Sequence, residues 1–253
     1  MQALTGKVAV VTGASTPRGI GNAIAKQFAQ AGASVLLVAD ATAEQLDAAG
    51  RECRAFPDAG RIESALIDLG EPGAPERMIA KADELFGRVD VLVNNAGIRA
   101  SSRFGDFTRE QFERVVAVNL AAPFFASQAV LPLMRRQGGG RIIHIASQMG
   151  HVAFDQRALY GLTKAALIHL TKSMAYELAR ENIIVNAISP GPIETGRSLT
   201  RSREDTQKLM DKVPAGRFGE PHEIANVALY LASSSPGFLQ GQDIVVDGGY
   251  IIH

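Results

Sequence analysis

Short runs rich in Val, Ile and Ala recur along the whole chain and alternate with longer segments whose apolar residues return every three to four positions. The runs at Val8 to Val11, Ser34 to Ala39, Ile62 to Ile67, Val89 to Val93, Arg141 to Ile145, Ile183 to Ile188 and Asp243 to Val246 are free of proline and apolar almost throughout. That pattern suits strands covered on both faces, as in a parallel sheet. Helical periodicity fills the intervals: Ile20 to Gln30, Ala43 to Cys53, Pro75 to Phe86, Arg109 to Leu133 with an interruption near Pro123, Ala158 to Glu181, and Pro221 to Leu231. Strand alternating with helix predicts right-handed crossovers and a doubly wound parallel α/β sheet of about seven strands with helices on both faces.

No Pro, Gly or Ser tract divides the 253 residues and no repeat is apparent, so one domain over 1–253 is expected. The stretch from Pro190 to Lys212 breaks the rhythm with polar residues and Arg197, Arg201 and Arg203. A connection that long predicts a lid over a binding site, or else a solvated surface helix over Glu204 to Lys212. Lys+Arg and Asp+Glu balance at 26 each, which argues against a nucleic-acid or acidic-membrane partner. Cys53 is the single cysteine, the five histidines are scattered, and no metal-binding spacing occurs. No uninterrupted apolar run approaches the roughly 18 residues of a membrane span, and the start lacks a secretory signal pattern. A cytoplasmic location is expected from these features.

Chemistry concentrates at strand ends. The first strand runs through Thr12-Gly13-Ala14-Ser15-Thr16-Pro17-Arg18-Gly19-Ile20-Gly21 into a helix. Glycines there admit a tight turn and close approach of a pyrophosphate to free N–H groups at the helix start, although a plain tight turn would look the same. Tyr160 and Lys164 are four apart in a helical pattern and so share a face. An ammonium beside a phenol favours the phenolate and makes Tyr160 able to exchange a proton with an alcohol or carbonyl oxygen. Ser147, at the end of the fifth strand, is placed to donate a hydrogen bond to that same oxygen. Asp40 closes the second strand, where a carboxylate accepts ribose hydroxyls and repels a 2′-phosphate; capping the helix that begins near Ala43 is the alternative. His144 and His169 read as packed or hydrogen-bonded residues, His151 as a substrate contact, and Phe124 and Phe125 as core or interface.

These residues together resemble the short-chain dehydrogenases/reductases. The glycine turn is similar to the family's T-G-x-x-x-G-x-G, with five residues rather than three between Gly13 and Gly19. Thr16 and Pro17 look like the extra pair, so a bulged loop is expected. The likeness continues through Asn94-Asn95-Ala96-Gly97, Asn119, Ser147, Tyr160-x-x-x-Lys164 and Pro190-Gly191-Pro192-Ile193-x-Thr195, over essentially the entire chain. It implies a Rossmann-like fold and catalytic roles for Asn119, Ser147, Tyr160 and Lys164. Lys164 would also hold the nicotinamide ribose, and Asn119 a water that links Lys164 to solvent. Cofactor contacts are implied for Gly13, Ser15, Arg18, Gly19, Ile20, Gly21, Asp40, Asp68, Leu69, Asn94, Asn95, Ala96, Gly97, Ile193 and Thr195. Asp68 and Leu69 would meet adenine, and Ile193 and Thr195 the carboxamide.

The expected activity is interconversion of a secondary alcohol and a ketone with NAD. Arg18, at a place where NADP users often carry a basic residue, and Asp40, one step beyond the usual acidic position, keep NADP open. Ile98, Arg99, Gln148, Met149, His151 and the Pro190 to Lys212 lid are expected to wall the substrate pocket. An NADPH-dependent 3-oxoacyl-carrier-protein reductase is the nearest alternative, and a non-catalytic dinucleotide sensor a more distant one. The family likeness, with the apolar excess on Arg109 to Leu133, Ala158 to Glu181 and the Tyr250 to Ile252 tail, implies a homotetramer.

Overall fold

The computed structural model describes residues 2–195 and 202–252. Seven strands form one sheet: β1 (Val8–Thr12), β2 (Ser34–Ala39), β3 (Ile62–Leu66), β4 (Val91–Asn94), β5 (Gly140–Ile145), β6 (Ile183–Pro190) and β7 (Asp243–Val246). Their order is β3-β2-β1-β4-β5-β6-β7, and every neighbouring pair is parallel. This is the doubly wound, Rossmann-like sheet that the alternating pattern predicts.

Successive side chains of a strand face opposite layers, and the packing follows that alternation. Ala9, Val11, Val35, Leu37, Val91 and Val93 face the layer of α1 (Ile20–Gln30), α2 (Ala43–Arg54) and α8 (Pro221–Ser233). Val10, Leu36, Val38, Leu92 and Ile142 face α3 (Ala74–Phe86), α5 (Ala122–Arg136) and α6 (Ala158–Leu178). Because both faces are covered, the central strands are buried along their length, which is why their sequences are continuous apolar runs rather than alternating ones.

The interruption expected near Pro123 sits just before it. α4 (Arg109–Val116) passes into a π turn over Ala117–Ala121, and Pro123 lies in the first turn of α5, where its missing N–H costs little. Taken together, Arg109–Arg136 make a helical rod of 28 residues, long and apolar enough by composition to cross a membrane. The uninterrupted-run criterion overlooks this rod because its polar residues are scattered. In the structure Ala122, Ala126, Val130, Leu133 and Met134 are packed into the core, so the rod is a layer of the fold.

The order in which strands are added to the sheet reverses between β1 and β4, the topological switch point at which parallel sheets open a crevice beyond their carboxyl ends. The glycine turn follows β1 and Asn95-Ala96-Gly97 follows β4.

Candidate active site

The glycine turn is built by local geometry. Gly13 has φ of 67°, which favours glycine, and a Cβ there would come within 2.9 Å of Asn95 Nδ2. The extra residues close a turn in which the Gly19 N–H donates to Thr16 O at 2.9 Å, and Arg18 takes the left-handed φ of 59°. α1 then begins at Ile20, after an N-cap, Gly19, that offers no side-chain bond, and it has no acidic residue in its first turn, whereas α2 and α4 have complete capping boxes. N–H groups left uncapped beside a crevice suit an anion.

The loop after β4 is knitted to this turn. Thr12 Oγ1 accepts the N–H groups of Asn95 and Ala96, both at 2.9 Å, and Asn95 Nδ2 donates to Thr12 O at 2.7 Å. Gly13, Ser15, Gly19, Ile20, Gly21, Asp40, Asp68, Leu69, Asn95, Ala96, Gly97, Ser147, Tyr160, Lys164, Ile193 and Thr195 all line one continuous cleft. Three expected residues do not line it. Asn94 is buried, and its Nδ2 bonds Ser127 Oγ and His144 Nδ1, each at 3.2 Å. Arg18 turns aside to Glu194, at 3.2 Å. Asn119 lies in the π turn behind the cleft wall.

Tyr160 and Lys164 are both buried on α6. Lys164 Nζ donates to Ile145 O at 2.6 Å and lies 5.7 Å from the centre of the Tyr160 ring. Burial works against the Tyr160 phenolate, but the Lys164 charge, the Arg99 charge and hydrogen bonds from Arg99 and Ser147 outweigh it and hold the hydroxyl below the ordinary phenol pKa. Burial likewise pulls Lys164 below the usual lysine value. His144, buried beside them, is driven down to about 3 by desolvation and then by the Lys164 charge; it is a neutral core residue.

Asn119 acts as a clamp. Its Oδ1 accepts the Ile98 N–H at 2.9 Å, and its Nδ2 donates to Ile98 O at 2.9 Å and to Thr163 Oγ1 at 3.2 Å. The side chain's two donors are thereby spent on protein partners.

At the other end of the cleft, Asp40 does not cap α2: Thr42 does, accepting the Gln45 N–H at 3.2 Å. Asp40 instead faces Arg114, whose Nη2 lies 3.5 Å from it and 2.9 Å from Asp68. Desolvation raises the Asp68 pKa, but the Arg114 bond and the Gly70 N–H bring it below the usual carboxylate range. Sequence reasoning missed Arg114; it sits mid-pattern on a helix read only for its apolar face, and no motif marks it. Phe154 was also missed as a cleft-wall residue, whereas Leu209 falls within the expected lid. His151 lies outside the wall, its Nε2 held 2.6 Å from Asp243 Oδ2.

Of the expected lid, α7 (Arg203–Met210) is capped by Ser202 and supplies Leu209 to the cleft; Arg197 and Arg201 lie outside the described residues. Among the described residues no cluster of His, Cys, Asp or Glu could hold a metal.

A family model described as enoyl-(acyl carrier protein) reductase matches residues 13–251. A 3-oxoacyl-(acyl-carrier-protein) reductase of Thermotoga maritima is 36% identical, over 98% of this chain and 99% of the relative. The chain belongs to the short-chain dehydrogenase/reductase family. An NAD-dependent glycerol dehydrogenase of Listeria innocua is 35% identical over 98% of the chain and 95% of the relative. The solved structure of a short-chain dehydrogenase/reductase from Serratia marcescens superposes with a TM-score of 0.92 at 35% identity, over 98% of this chain and 99% of that one. Short-chain dehydrogenases/reductases are oxidoreductases acting on CH–OH groups with NAD(P)(H).

Proposed function

We propose that this enzyme interconverts a secondary alcohol and a ketone by hydride transfer with NAD(H), using Tyr160 as the acid and base. The observation that carries the reading is the buried group at the reactive end of the cleft: Tyr160 and Lys164 on one face of α6, the ammonium 5.7 Å from the ring centre, with Ser147 lining the same cleft. Nicotinamide, when bound, supplies or takes up the hydride. In alcohol oxidation the Tyr160 oxygen accepts the carbinol proton, and Ser147 donates a hydrogen bond to the oxygen on which charge develops.

Lys164 has three N–H donors and spends one on Ile145 O, which leaves two for Tyr160 and the nicotinamide ribose. Gly19, Ile20 and Gly21 would meet the pyrophosphate, Asp40 the adenosine ribose, Asp68 and Leu69 adenine, and Ile193 and Thr195 the carboxamide. Asn119 would hold a water that links Lys164 to solvent. Asp40 supports NAD, and the ion pair that draws Arg18 toward Glu194 removes one argument for NADP.

A second reading, reduction of 3-oxoacyl groups on a carrier protein, is favoured by the relatives bearing that name. Asp40 stands against the NADPH it would use. With Tyr160 and Lys164 both in place, a sensor without turnover is disfavoured. Tyr160→Phe should lower kcat by about 10²- to 10⁴-fold while the cofactor Kd, read from NADH fluorescence, changes little. Retention of near-normal kcat would overturn the acid-base assignment.

A further inference from the structure

The reactive end of the cleft is cationic. Asp40 and Asp68 are the only carboxylates among the described residues that line the cleft, and both follow strands on the far side of β1. β2 and β5 are three strand spacings apart, roughly 14 Å, and Arg114 already faces both carboxylates. Around Tyr160 there are instead two cations, Lys164 and Arg99. Lys164 is buried and tied to Ile145 O. Arg99 is exposed to the cleft, its guanidinium 5.2 Å from the centre of the Tyr160 ring, and it forms none of the ion pairs found among the described residues.

Its placement is built. The backbone of Ile98 immediately before it is held at both its N–H and its carbonyl by the Asn119 side chain. The planar guanidinium can bond the Tyr160 hydroxyl with one N–H and still present a two-pronged edge to a carboxylate. A carboxylate on that edge would sit beside the Tyr160 ring, whose centre is 5.2 Å from the guanidinium, and so near the oxygen that reacts. Met149, Phe154 and Leu209 supply an apolar wall for a short alkyl remainder.

We infer that Arg99 receives a carboxylate of the substrate, one or two carbons from the reacting carbon, so that the substrates are short 2- or 3-hydroxy acids and the corresponding oxo acids. This rests on the hydride-transfer reading above. In oxidation the carbinol C–H bond breaks and its electron pair leaves with the hydride, reducing NAD to NADH. The O–H proton passes to the Tyr160 oxygen, the C–O bond becomes C=O, and the carboxylate stays unchanged on Arg99.

The experiment compares 2-oxobutanoate and 3-oxobutanoate with their methyl esters, using the full chain, NADH and NADPH, in wild type, Arg99→Gln and Arg99→Lys of matched Tm. At least one acid should exceed its ester in kcat/KM by about 10- to 100-fold, mostly through KM. Arg99→Gln should erase that ratio, and Arg99→Lys should keep part of it. If wild type treats acid and ester alike, or Arg99→Gln lowers both by the same factor while the pH profile of kcat moves upward, Arg99 only tunes Tyr160 and the inference is overturned. In those outcomes turnover that depends on Tyr160 persists and the hydride-transfer reading stands. Failure of all four compounds while a neutral ketone is reduced overturns the inference alone. If no carbonyl compound or alcohol is turned over with either cofactor, the hydride-transfer reading fails and this inference falls with it.

Discussion

Asp40 and Arg114 show how one side chain modifies another's role. Asp40 is 67% exposed at its side chain and would repel a 2′-phosphate, yet a guanidinium shared with Asp68 stands 3.5 Å away. Asp40→Ala should therefore do more than remove repulsion: it frees Arg114 to meet a phosphate, and kcat/KM with NADP relative to NAD should rise by 10-fold or more. In an Arg114→Leu background the same change should move the ratio much less. A wild type that already prefers NADPH, or a ratio unchanged by Asp40→Ala, would remove Asp40 from cofactor selection. The pairing was invisible in the sequence because Asp40, Asp68 and Arg114 belong to three elements and meet only through the sheet order. Tyr160 and Lys164 were legible because helix geometry alone brings positions four apart onto one face. Ser147 was legible because a strand end fixes its place. Arg99 was readable as a wall residue, but its contact with Tyr160 was not.

At the scale of elements, periodicity recovered the sheet and its helices to within a residue or two at most ends, and it failed where the period itself changes. The π turn at Ala117–Ala121 inserts a residue into the helical repeat, so no fixed-period pattern could place Asn119 against Ile98. Pairing between β1 and β4 depends likewise on a residue without an apolar signature. Asp90 Oδ2 accepts the Val8 N–H at 2.9 Å and Arg88 Nε at 2.8 Å, while Lys7 Nζ reaches Oδ1 at 3.2 Å. Burial raises the Asp90 pKa, but these bonds outweigh it and hold it below the usual carboxylate value. A depressed folded pKa contributes stability that is complete above the unfolded value of about 3.9 and is lost as pH falls through the folded pKa. Asp90→Asn should cost about 1–3 kcal/mol at pH 7 by denaturant unfolding. Its disadvantage should shrink as pH falls below about 4, and a disadvantage independent of pH would show that Asp90 acts by shape alone.

Among the described residues, large apolar side chains are exposed in two regions that bear on assembly. On the α3, α5 and α6 side, Phe112, Phe124, Phe125 and Leu162 are exposed and Tyr176 is 91% exposed; Phe124 and Phe125 meet edge to face at 5.3 Å between centroids. At the other surface, beside α8 and the edge strand β7, Tyr230 and Ile252 are exposed and Phe238 is 99% exposed. Single exposed apolar residues are ordinary on a monomer; several exposed aromatic groups on one helix layer, and others near an open sheet edge, are what two interfaces between copies of this chain would cover. A self-complementary patch closes with one two-fold axis, and two such patches on different faces generate a tetramer with mutually perpendicular two-folds. We therefore expect light scattering during size exclusion at micromolar concentration to give about four times the 26.9 kDa chain mass. Phe125→Asp combined with Tyr176→Glu should sever one contact and leave a dimer, and Phe238→Asp with Ile252→Asp should sever the other. A wild-type mass of 26.9 kDa would mean that neither face meets a second copy, and a dimer in wild type would leave one face without that role. If either charged pair left a fourfold mass intact, its surface would be outside the contacts and the two-patch construction would be wrong.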